Sequence, residues 1–135
     1  MVDVAHGIAQ RMIKLQISNI VAPDLPGDAW IMDLDAASGY DAPSADNVSF
    51  EIQFDVGPAD HDWTEHFFAD VVTPSRRGTT GRRRKPIELH EYSLSNLKQY
   101  LRAAVSACEK EDWEHSLAEL RKRFLWEWDM PNMLP

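Results

Sequence analysis

The chain has 135 residues, a formal net charge of −8 at pH 7 and a single cysteine. That length suits one domain, the charge sets phosphate-rich partners at a disadvantage, and a lone Cys108 excludes an internal disulfide. An apolar share of 44% against 27% charged residues is the balance of a chain with a core, not of a disordered tail.

Residues 1–11 show no clear period and read as a flexible extension ahead of one domain spanning 12–135. They lack a basic n-region and a long apolar run, so neither a secretory leader nor a membrane anchor is expected, and the cytoplasm is the expected compartment. A first strand begins near Met12, where Ile13, Leu15 and Ile17 alternate with Lys14, Gln16 and Ser18. Residues 22–47 form a long connection punctuated by Pro23, Pro26, Gly27, Gly39 and Pro43, with a short extended piece around Trp30–Leu34. Connections of that length inside a small domain tend to be functional.

The clearest strand follows. Val48, Phe50, Ile52, Phe54 and Val56 fall on one face, and Ser49, Glu51, Gln53 and Asp55 on the other. A loop at 58–65 leads to a strand over Phe67–Thr73, and the two should pair as a hairpin. After the basic segment 75–85, Ile87–Tyr92 reads as a short strand. Ser93 or Ser95 can cap a helix whose apolar positions are Leu94, Leu97, Leu101, Ala104, Val105 and Cys108. Asp112 can cap a second helix carrying Trp113, Leu117, Leu120 and Phe124. The alternation of Trp126, Trp128 and Met130 with Glu127 and Asp129 predicts a closing strand that finishes the core, stopped by Pro131. This order predicts a two-layer α+β domain: a mostly antiparallel sheet of about five strands with two helices on one face.

Charge is segregated along the chain. From Leu15 to Ser75 there is no Lys or Arg, but there are acids at 24, 28, 33, 35, 41, 46, 51, 55, 60, 62, 65 and 70. The segment 76–85 then carries Arg76, Arg77, Arg82, Arg83, Arg84 and Lys85 without an acid. Aromatic residues interleaved with steering charges have the composition of a protein interface. The expected contacts lie in 24–46 and 58–66, with Asp33, Asp35, Asp41, Asp60, Asp62 and Glu65 steering and Trp30, Tyr40 and Trp63 anchoring. Alternatively, the basic segment folds back onto these acids, or meets nucleic-acid phosphates.

Signals for catalysis are weak. His61 and His66 sit among acids in ADHDWTEH, but His-x4-His is not the spacing of helix-borne or finger metal sites. Cys108, on an apolar helix face, reads as a core thiol. There is no GxSxG, Walker or GxGxxG motif, so no catalytic residue, metal or cofactor is expected. A small metal-dependent enzyme built on the two histidines and a non-catalytic adaptor subunit are the competing readings.

Four short segments resemble one family. Ile20-Val21-Ala22-Pro23-Asp24-Leu25 ends the opening strand. Phe50–Val56 is followed by Val71-Val72-Thr73-Pro74. Leu89–Tyr92 leads into a helix. Asp112-Trp113-Glu114 opens the second helix, and Trp126-Glu127-Trp128-Asp129 closes the chain. In this order, over about Met12 to Asp129, they resemble the immunity protein 8 family of bacterial polymorphic toxin systems. The chain departs from that pattern at Ser75-Arg76-Arg77-Gly78, where a large apolar residue is usual, and at Met130-Pro131, where a tyrosine is. The resemblance implies a protein that binds and neutralises a co-produced toxin. An acidic surface would suit a nuclease toxin with a basic, phosphate-binding site.

Overall fold

The structure, a computed structural model, describes residues 12–23, 31–32, 46–76 and 86–132, with only the backbone path at 31–32 and 130–132. Its elements are β1 (Leu15–Val21), β2 (Ile31–Met32), β3 (Ser49–Pro58), β4 (Glu65–Val72), β5 (Pro86–Glu88), α1 (Leu94–Ser106), α2 (Trp113–Arg123) and β6 (Leu125–Trp126). Short 3-10 turns occupy Pro74–Arg76 and Glu127–Asn132. The fold is α+β, as the order of elements predicts. The first eleven residues lie outside the described ones.

The β3–β4 hairpin is the frame. Its strands pair antiparallel from Ser49 opposite Val72 to Val56 opposite Glu65. The alternation in β3 has its expected consequence: Phe50, Ile52, Phe54 and Val56 are all buried, and Phe67, Ala69 and Val71 are buried beside them. The sheet runs β2-β1-β3-β4-β5, and β6 pairs with β4. β3 takes one edge of β4, so β5 and β6 share the other. β5 pairs with Asp70–Val72 and β6 with Phe67–Phe68.

Two details depart from the sequence expectation. β5 runs parallel to β4. A parallel return needs a crossover of about a dozen residues, and the connection over 73–85 provides that length. The closing strand is only Leu125–Trp126. The next residues wind as a 3-10 turn, so Trp128 does not finish the core but stands 63% exposed. The extended piece expected near Trp30 is observed as β2, which pairs with the end of β1.

In β1 the pairing with β3 shifts between Ser18 and Val21, and Asn19 there has a φ of 52°. Asn tolerates that left-handed conformation better than most residues. Its Nδ2 donates to Asp55 Oδ2 at 2.9 Å, and Ile20 is turned into the core.

Both helices start at the expected caps. Ser93 accepts from the Asn96 N–H, and Asp112 from the His115 N–H. α1 buries Leu94, Leu97, Leu101, Ala104 and Val105. They join Leu120 and the β3–β4 side chains in one core, in which Phe54 meets Phe124 edge-on at 5.0 Å and stacks with Phe67 at 6.1 Å. Cys108 is fully buried, and burial pushes its thiol up, away from the reactive thiolate.

Candidate protein-docking surface

The hairpin turn, residues 59–64, is held by groups that leave its side chains free to face outward. Ala59 N–H donates to Lys14 O at 2.8 Å, and His61 N–H to Pro58 O at 3.1 Å. The Gln16 amide reaches across from β1 to the carbonyls of Pro58 (3.2 Å) and His61 (3.1 Å). Gly57 allows the return strand to close in: a Cβ there would lie 2.3 Å from the Trp63 carbonyl oxygen. A turn fixed by its backbone can present side chains without further ordering on contact.

Those side chains are Asp60, His61, Asp62 and Trp63, all exposed. The His61 ring bonds to Asp60 at 2.8 Å and so holds that carboxyl below its ordinary range. Trp63 is 40% exposed and meets two rings edge-on, His61 at 5.7 Å and Trp113 at 5.3 Å. Trp113 opens α2, so this contact joins the hairpin turn to the start of that helix. Glu111, Asp112, Glu114 and His115 are its neighbours in the chain, all exposed. Glu65 is half-buried and accepts a bond from Trp126 Nε1 at 2.9 Å. The result is one carboxylate-rimmed aromatic patch.

Of the expected contact residues, Asp60, Asp62, Trp63 and Glu65 are brought together at this end of the sheet. Trp30, Asp33, Asp35, Tyr40 and Asp41 lie outside the residues whose side chains are described, and most of the basic segment lies outside the described residues. Trp113 is half-buried against the core, as its place on the apolar stripe predicts, and its contact with Trp63 brings its exposed acidic neighbours into the patch. An aromatic residue between the acids of a helix's first turn is the available signal.

The two histidines of the metal reading are not brought together. His61 is taken by Asp60. His66 lies within β4, where Nδ1 meets Asp55 Oδ1 at 2.6 Å and Nε2 meets Gln53 Oε1 at 3.1 Å. Glu111, Asp112 and His115 alone, among the described residues, have ligand atoms close enough for one ion. Their proximity has a structural cause, because Asp112 caps the helix and His115 leans back onto it at 2.8 Å. At the far end of the hairpin, an open depression of about 540 Å³ is lined by Asp46, Pro74, Ser75, His90 and Glu91. Its hydroxyl, that of Ser75, donates to the Asp46 carbonyl.

The family model of immunity protein 8 matches residues 29–130. The chain belongs to that family. The match begins at Ala29 and ends at Met130, so it takes in β2 to β6 and both helices and leaves β1 outside. Membership makes the chain an immunity protein of toxin systems, with a toxin as its class of partner. No curated protein and no solved structure matches it. No helix among the described residues is long and apolar enough to cross a membrane.

Proposed function

We propose that this immunity protein neutralises its cognate toxin in the cytoplasm by binding, without catalysis, through the patch built on the hairpin turn and the start of α2. The observation that carries the reading is the Trp63–Trp113 contact. It is an aromatic pair at a braced turn, rimmed by Asp60, Asp62, Glu111, Asp112 and Glu114. An aromatic centre with charged surroundings is the composition of an interface whose core gives affinity and whose rim gives rate. The acidic segment 24–46, with Trp30, Asp33, Asp35, Tyr40 and Asp41, is proposed to extend the same surface.

Carboxylates complement a basic cleft. The toxin class that fits is therefore one with a phosphate-binding site, such as a nuclease, whose substrate the acids imitate in charge. The experiment is a pull-down with the toxin domain encoded beside this chain, together with survival of cells expressing that domain. A stable complex and rescue are expected. Neither complex nor rescue would return the chain to the adaptor reading and leave the family as evidence of fold.

A further inference from the structure

Trp128 is the most exposed large apolar side chain among the described residues, at 63%. It does not hang from a loose tail. β6 is antiparallel to β4, with Leu125 opposite Phe68 and Trp126 opposite Phe67. The chain therefore leaves β6 heading toward Glu65 and the hairpin turn. Trp126 is fastened there by its bond to Glu65. One residue past Trp128, Asp129 is gripped from α2 by both arms of Arg121, Nε to Oδ2 at 3.1 Å and Nη2 to Oδ1 at 2.7 Å. The same guanidinium lies over the Trp126 ring, 4.9 Å from its centroid. Trp128 thus projects from a 3-10 turn secured on both sides.

An indole held out in water adds little to the fold. Protein interfaces draw disproportionate affinity from such residues when they enter a pocket already in position. We infer that Trp128 is a second anchor of the toxin-binding surface, entering an apolar cleft of the toxin edged by Lys or Arg side chains. Glu127, next to it in the chain, and Glu65, bonded to Trp126 two residues back, favour that basic rim, while Arg121 already satisfies Asp129. The inference rests on the proposed function and extends the surface from the turn to the end of the described chain.

The test compares full-length parent, Trp128→Ala and Asp129→Asn for affinity toward the cognate toxin domain by titration calorimetry, with thermal melts alongside. Trp128→Ala should weaken binding about 30-fold or more, the scale of an interface hot spot, and leave the melting temperature in place. Asp129→Asn, which keeps the indole but loosens its clamp, should weaken binding by a smaller factor. If Trp128→Ala binds within about twofold of the parent, well below that scale, the anchor role is overturned and the proposed function stands. If the parent itself does not bind, both fall. A parent that sediments as a dimer and a Trp128→Ala variant that sediments as a monomer would assign the indole to self-association and also overturn the inference.

Discussion

The two ends of the β3–β4 hairpin use polar groups in opposite ways. At the far end Thr73 is fully buried. Its Oγ1 accepts from the Val48 N–H at 2.9 Å and donates to the Asp46 carbonyl at 2.9 Å, while its own N–H donates to Val48 O. Leu89 N–H closes onto Val72 O nearby. Here the hydroxyl is turned inward and holds strands together. At the turn end backbone bonds and the Gln16 amide do the holding, and the carboxylates of Asp60 and Asp62 and the Trp63 indole face out. A protein that must both fold and present a surface can divide the tasks in this way, so that changes at one end leave the other largely untouched.

The largest effect should come from the inward end. Thr73→Val leaves the buried Val48 N–H without its acceptor, while the exposed Asp46 carbonyl keeps its bond from Ser75, and an unsatisfied buried group costs about 1–3 kcal/mol. Because Thr73 is fully buried, a loss at the upper end of that range, about 3 kcal/mol, is expected in urea unfolding, with the toxin affinity of the folded fraction unchanged. A marked loss of affinity in that fraction would show that the ends are not independent.

Gly57→Ala probes the turn end where fold and surface meet. The added methyl meets the Trp63 carbonyl, which belongs to the backbone and cannot simply rotate away. About 2 kcal/mol of overpacking strain is expected in the same unfolding assay. Toxin binding should weaken with it, because Trp63 must shift.

Reversing Asp60, Asp62 and Glu111 to Lys should act on rate alone. All three are exposed, the Asp60 side chain at 83% and that of Glu111 at 64%. The melting temperature should hold, while stopped-flow association with the toxin slows about tenfold and loses much of its salt dependence. Unchanged kinetics would remove this patch from the binding surface.

The smallest effect concerns the start of α2. Bonds from the His115 N–H and ring hold the Asp112 carboxyl below the usual aspartate range, and the Asp112 bond raises His115 above the usual histidine range. The aspartate's contribution is present above its unfolded value and lost as pH falls through its lowered one. The histidine's contribution is complete below its unfolded value and lost as pH rises through its raised one. Amide-exchange protection of residues 113–116 should therefore be greatest between about pH 4 and 6.5, the two unfolded values. His115→Gln should abolish the decline on the alkaline side and keep the one on the acid side.

Local rules make much of this fold legible. The period-2 run in β3 and the caps at Ser93 and Asp112 depend on near neighbours, and they lie where the sequence predicts. The parallel placement of β5 depends on where a long connection returns, which no local pattern encodes. The same limit applies to the surface. The acids of the turn can be read directly, but the contact of Trp63 with Trp113 arises only when α2 packs beside the hairpin. Trp128 escapes a local reading because strict alternation over Trp126–Met130 also fits a strand that stops after two residues.

The most direct test of the central claim is hydrogen–deuterium exchange of the full chain, free and bound to its toxin domain. The account predicts new protection at 59–65, 111–115 and 126–129, and none at 46–48, 73–76 and 89–93. Protection at the Thr73 end with none at the hairpin turn would contradict it.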